Sequence, residues 1–414
     1  MISIKKFKIQ HAQLFMLAML VVNAGNYLYN LLLGRFLGPE AFADAALLIT
    51  LLLVLSFIGM TFQIVSTKFV VELNVDDKKV FIKKAFIWSF LIGILLGLII
   101  FFSSGKLHSF LNTSTPSVFK WLALGVPFYF VMSINRGIFQ GEQNMAYLGI
   151  TYLTEMLARF IITFVLLYAA SEFHSSLSVA FAIFISFLIG LFPLNKSLFN
   201  LRSITDLTLP QKQIVRFFLL TLFYEFTLII INNSDILLVK SYFDNFDAGL
   251  YASLALIGRV VYFVTWMFVM ILLPKVIEAA KNDENTKPIL FKNLLMIAGF
   301  SGAIVLGAFI FPELAVKILF GDAFLKIAPL LWQYALATAL FAVANLFAYY
   351  FLSLNKYIPV ILSAIFGLTQ IVLIINFHET LQQVVLMQII AMSALLIFQI
   401  LYFLFETQYI ASRK

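Results

Sequence analysis

A chain of 414 residues with 62% hydrophobic and 12% charged side chains, 47 phenylalanines and a mean hydropathy of +1.01 is too apolar for a water-soluble domain. It contains no cysteine, which excludes disulfides, thiolate metal sites and cysteine nucleophiles. Its formal net charge of +8 reads as membrane topology and contact with anionic lipid, not as a nucleic-acid surface.

Stretches able to cross about 30 Å of hydrocarbon, ~20 residues each, fall near 11–33, 43–65, 82–102, 118–139, 148–169, 177–195, 216–238, 250–272, 290–311, 328–351, 357–377 and 384–405. They predict an all-α membrane protein of about twelve transmembrane helices, with linkers too short to hold a soluble catalytic domain. Lys5, Lys6 and Lys8 before the first apolar run mimic a signal peptide, but the run is longer than a typical h-region and further spans follow. An uncleaved first helix is therefore expected.

The first span carries Asn23, Asn26 and Asn30, spaced three and four apart, on one helical face with Tyr27. Such a face suits hydrogen bonding to a polar ligand in a wet cleft. Interhelical hydrogen bonds of about 0.6–2 kcal/mol each are its plainer use. Gly38-Pro39 ends the helix, since proline cannot donate and glycine permits the turn.

Charges inside spans are costly and normally face a cavity or a partner. Arg136 lies at the inner end of span 4, where a guanidinium could meet phosphate oxygens, although positive-inside topology explains it equally well. In span 5, Glu155 and Arg159 are four apart and can neutralise each other. Glu225 and Asp235 lie in span 7 and Arg259 near the middle of span 8. Arg259 has no acid on its own helix, so Glu225, water or an anionic ligand is its expected partner. Arg35 and Lys240 end corresponding spans, where snorkelling is the commoner explanation. His11, His108, His174 and His378 are scattered near span ends, and no metal site or cofactor is expected.

Of the 28 Lys and Arg, only Arg35, Lys106, Lys120, Lys240, Lys317 and Lys326 fall in outside segments, and Arg159 and Arg259 lie within spans. The other twenty are inside, which predicts cytoplasmic N- and C-termini. The chain also repeats itself at an offset of about 206 to 212 residues. KFVVELNVDDKKVFIKKAF (68–86) corresponds to KVIEAAKNDENTKPILFKNLL (275–295), EAFADAALLI (40–49) to FDAGLYASLA (246–255), and FQGEQNMAYLGI (139–150) to FLSLNKYIPVIL (351–362). The expected organisation is a six-helix lobe over 1–195, a basic cytoplasmic linker over 196–215 and a second six-helix lobe over 216–414, related by a pseudo-twofold axis along the membrane normal. A cleft lined by spans 1, 2, 7 and 8 is expected between the lobes.

GRFLGPEAFA after span 1, FQGEQN after span 4 and DAGLY after span 7 resemble the polysaccharide or oligosaccharide flippases of the multidrug/oligosaccharidyl-lipid/polysaccharide exporter superfamily. The resemblance covers essentially the whole chain. Ala43 and Asp44 depart from it, standing where a small turn glycine and an apolar residue are usual. The resemblance implies flipping of a polyprenyl-diphosphate-linked oligosaccharide across a bacterial or archaeal cytoplasmic membrane by alternating access. It also implies membrane lipids, a glycan polymerase and glycosyltransferases as partners. Arg259, Arg159, Arg136, Arg35, Asn23, Asn26, Asn30 and Tyr27 are then substrate-binding candidates, and Glu225, Glu155 and Asp235 are charge partners or ion-coupling candidates. The alternative is a cation-coupled multidrug exporter of the same superfamily. Such exporters commonly place an acid in the first span, and residues 11–33 contain none. No enzymatic activity is expected.

Overall fold

The computed structural model describes residues 11–169, 175–195, 209–261, 276, 279, 282, 284–354 and 356–412, and these are mostly helical with no strand among them. Helix α1 runs His11–Glu72 and breaks once, at Gly38 (φ 70°, ψ 174°). A positive φ is cheap only for glycine, and Pro39 brings no N–H to the ladder, so the predicted end of span 1 is a kink joining two helical limbs. Asn74 caps α2 (Val75–Phe102) by accepting the Asp77 N–H at 2.9 Å. Asp76 and Asp77 in the first turn complement the helix dipole. There follow α3 (Ser104–Leu111), α4 (Ser117–Gly141), α5 (Met145–Ala169), α6 (Ser175–Gly190), α7 (Gln211–Tyr242) and α8 (Asn245–Gly258). After them come α9 (Lys287–Ile310), α10 (Pro312–Leu319), a 3-10 segment (Asp322–Leu330), α11 (Leu331–Ser353), α12 (Ile358–Asn376) and α13 (Leu381–Ser412).

Nine helices among the described residues are long and apolar enough to cross a membrane, so this is an all-α, multi-pass membrane protein. The difference from twelve predicted spans has three local origins. Helix α1 carries two predicted spans across its kink. Helix α6 has 16 residues, short of the ~20 a perpendicular span needs. The span predicted at 250–272 begins within α8, and its remainder, 262–272, lies outside the described residues.

The chain forms two compact units. Unit 1 takes residues up to Leu32 and Leu48–Phe226; unit 2 takes Leu33–Leu47 and the chain from Thr227. The linker expected over 196–215 lies mostly outside the described residues, and α1 and α7 each contribute to both units. The first half of α7 is held in unit 1 by ring contacts of Phe217, Phe218 and Phe226 with Phe69, Phe62 and Phe57 of α1. The kink region of α1 is held in unit 2 by Phe42, whose ring meets Phe320 and Phe324.

Each unit is built on a mostly buried hub helix. In unit 1, α4 packs against α2, α5 and α6; in unit 2, α11 packs against α9, α12 and α13. An eight-residue helix follows the first partner in both cases, α3 after α2 and α10 after α9. The packing pattern thus repeats as the sequence does.

Candidate functional site

The motifs that carry the resemblance turn out to be joints. In unit 2 an added Cβ on Gly249, within DAGLY, would lie 1.7 Å from the carbonyl oxygen of Pro39, within GRFLGPEAFA. Only a residue without a side chain lets these backbones meet. Arg35 donates to the carbonyls of Lys317 (3.1 Å) and Ile318 (2.6 Å), capping the C-terminal end of α10 with a cation. Asp44 forms a 2.9 Å ion pair with Lys240, and both are buried. Lys240 also bonds Asn245 at the start of α8. The snorkelling expected of Lys240 is therefore corrected, because its ammonium is held by Asp44 and Asn245. In FQGEQN, Gln140 accepts from Gln63 at 2.9 Å, and Glu142 binds Lys78 at 3.2 Å and Asn195 at 2.8 Å.

Unit 1 contains a buried charge centre made by α4, α5 and the first limb of α1. Arg136 Nη2 donates to Glu155 Oε2 at 2.8 Å and to the Thr151 carbonyl at 2.9 Å. Its Nε reaches Thr151 Oγ1 at 3.2 Å, and the guanidinium lies 3.8 Å from the Tyr152 ring centroid. Arg159 approaches the other oxygen of Glu155 less closely, at 3.5 Å, and donates to Asn26 Oδ1 at 2.6 Å. The Tyr29 ring, 5.6 Å from the Arg159 guanidinium, is fixed by a 2.9 Å bond between its hydroxyl and Thr163. Among the described residues, two guanidiniums here share one carboxylate.

The amide face predicted on α1 divides. Asn26 joins the charge centre, Asn30 turns its amide back to the Asn26 carbonyl at 2.8 Å, Tyr27 is half-buried and Asn23 is exposed.

Unit 2 contains the counterpart, made by α7, α8 and α11. Arg259 caps α8, and its guanidinium reaches the Asn232 carbonyl, Asn233 Oδ1 at 3.3 Å and Asp235 Oδ1 at 3.7 Å. Asp235 Oδ2 accepts from Tyr334 at 2.8 Å and Tyr251 at 3.1 Å. The carboxylate expected to hold Arg259, Glu225, is replaced by Asp235. Ten residues separate the two along α7, about 15 Å of helix. Asn232, Arg259, Tyr334, Thr338, Gln370 and Gln388 supply the polar lining of a cavity of about 30 Å³, room for a water molecule or two. Among the described residues, no cluster of three or more His, Asp or Glu is placed to hold a metal.

Sequence reasoning paired Glu155 with Arg159 by spacing but missed the contribution of Arg136, because that contact crosses from α4 to α5. Tyr152, Tyr251, Tyr334 and the Asp44–Lys240 pair were also missed. The departure of Asp44 from the family pattern was the signal available for the last of these.

Residues 32–329 match a family described as polysaccharide biosynthesis protein. An uncharacterized membrane protein of Methanocaldococcus jannaschii, MJ1375, is 28% identical over 204 residues, which span 47% of this chain and about half (48%) of that relative's length. The fold is similar to that of a solved lipid II flippase, MurJ, in an inward closed conformation (TM-score 0.76, 17% identity, 95% of this chain and 87% of that one). It is also similar to a multidrug resistance MATE family transporter of the MOP superfamily in an inward-facing conformation (TM-score 0.74, 12% identity, 92% and 94%).

Proposed function

The chain belongs to the polysaccharide biosynthesis protein family, and on that premise we propose that it flips a polyprenyl-diphosphate-linked oligosaccharide across the cytoplasmic membrane by alternating access. Both termini are cytoplasmic in this proposal, as the Lys and Arg distribution favours. The observation that carries it is the surplus positive charge in unit 1. Glu155 can neutralise one of Arg136 and Arg159, and a second buried guanidinium needs water or an anion to offset its desolvation.

Of the two, Arg159 is the one to exchange partners. Arg136 spends three N–H donors on Thr151 and Glu155 and lies over the Tyr152 ring, whereas Arg159 sits farther from Glu155 and leans on an amide of the half-polar α1 face. A diphosphate would take Arg159 as a charge-assisted, bidentate partner, and sugar hydroxyls would meet Asn23, Asn26 and Tyr27. Arg259 is balanced by Asp235 and Arg35 caps α10, which supports structural roles for both. Asp235 remains the ion-coupling candidate, beside the small polar cavity. An acid-free stretch over 11–33 argues against the alternative of a cation-coupled multidrug exporter.

The experiment is glycan-lipid transport in reconstituted vesicles. Arg159→Gln is expected to abolish transport while preserving membrane insertion, and Arg159→Lys to retain part of it. Full transport by Arg159→Gln would remove the proposal's basis.

A further inference from the structure

A groove of about 580 Å³ runs along the first three turns of α7, lined by Gln211, Lys212, Val215, Arg216, Leu219 and Leu220. All six belong to unit 1. Lys212 and Arg216 are exposed and four apart, so they share one face. Among the described residues, no carboxylate pairs with either. Lys68 nearby is already occupied, with its ammonium 4.0 Å from the Phe217 ring centroid and 3.8 Å from Glu72. Beyond the two cations the surface turns apolar: Val215, Leu219 and Leu220 are 55%, 56% and 60% exposed.

That sequence of chemistry along one helix is the outline of a lipid. An exposed apolar strip on a membrane helix is covered by hydrocarbon, and two exposed cations one turn apart at its polar end, with no carboxylate partner among the described residues, call for a phosphate group. Two positive charges match a diphosphate better than the single charge of a phospholipid phosphodiester. One narrow strip on a single helix edge suits one chain better than two.

We propose that this groove is the docking site for the lipid carrier before translocation. The diphosphate sits on Lys212 and Arg216, and the first isoprene units lie along Val215, Leu219 and Leu220. The proposal rests on the function given above and adds where the carrier is first held. It also gives Lys212 and Arg216 a task that their cytoplasmic-side charge alone does not require.

The test uses full-length protein carrying p-benzoylphenylalanine at Leu219, in nanodiscs of zwitterionic lipid doped with a radiolabelled polyprenyl diphosphate. Irradiation is expected to give a labelled adduct that unlabelled polyprenyl diphosphate suppresses and phosphatidylglycerol at equal mole fraction does not. In the same background, Lys212→Gln with Arg216→Gln should lower adduct yield about thirtyfold. Lys84→Gln with Lys292→Gln, which removes the same charge elsewhere on the side assigned to the cytoplasm, should leave it within about twofold. Equal competition by phosphatidylglycerol, or an equal loss in the Lys84 and Lys292 pair, would overturn the proposal in favour of general anionic-lipid contact. If wild-type protein moves no lipid-linked glycan, the transport proposal falls, while the adduct still reports whether the groove takes a diphosphate lipid.

Discussion

Unit 1 and unit 2 share a packing plan but handle buried charge differently. In unit 1, Arg159 of α5 donates to Asn26 of α1 at 2.6 Å; in unit 2, Gln370 of α12 donates to Ser234 of α7 at 3.2 Å. These are equivalent helix pairs in the repeat, and the offset between them is that of the sequence repeat. One copy of the clamp is cationic and the other neutral. The arginine within the unit 2 charge centre comes from the end of α8 and faces Asp235, itself held by two tyrosines. The two units therefore share a scaffold, and different side chains at matched positions leave a surplus positive charge in unit 1.

The largest effect that can break this comparison is removal of the shared carboxylate. Glu155→Gln leaves two buried guanidiniums with no counter-charge, and breaking a buried pair costs about 3–5 kcal/mol. Thermal unfolding in detergent should show a loss of that order, and an unchanged melting temperature would mean that water already neutralises the centre.

Next is the unit 2 pair. Asp235→Asn should destabilise by ~3 kcal/mol or more, while Asp235→Asn with Arg259→Gln should recover most of that loss, since removing both charges relieves the desolvation. No recovery in the double variant would show that Arg259 answers to something other than Asp235.

Smaller again is the backbone joint. Gly249→Ala places a methyl against Pro39 that the kink of α1 must yield to, at about 1–3 kcal/mol. Its effect should be read as lower thermal stability with charge-dependent binding intact.

The smallest is Arg35→Ala. It removes an exposed cap worth about 0.3–1 kcal/mol and should leave transport near the wild-type level, in contrast to Arg159→Gln. A transport loss equal to that of Arg159→Gln would move Arg35 back among the substrate ligands.

Hydropathy alone placed most helices, because a lipid-facing helix must stay apolar over its whole length and the ends of α4, α5, α9 and α12 fall within a few residues of the predicted limits. It could not show that Gly38 joins two spans without a loop, since a break in the hydrogen-bond ladder reads the same whether the chain turns out or resumes at once. Spacing found Glu155 with Arg159 because both stand on one helix. Arg136 and Asp235 escaped it for one reason: their contacts cross between helices, α4 to α5 and α7 to α8. Glu225 was one of the partners expected for Arg259 because no acid stands on its own helix, but capping at the end of α8 carries the guanidinium to the level of Asn232 and Asp235 instead. The motif residues of the kink were read as family marks, and Gly249 against Pro39 gives them a steric cause.

The surplus charge of unit 1 is tested most directly by equilibrium binding of an oligosaccharide polyprenyl diphosphate and of the matched uncharged polyprenyl glycoside to protein in nanodiscs. Wild type should prefer the diphosphate by about tenfold or more at low salt, and the preference should shrink as ionic strength rises. Arg159→Gln should erase it, and the Asp235→Asn, Arg259→Gln pair should preserve it. Equal binding of charged and uncharged ligands by wild type, or a preference that survives Arg159→Gln, would contradict the account.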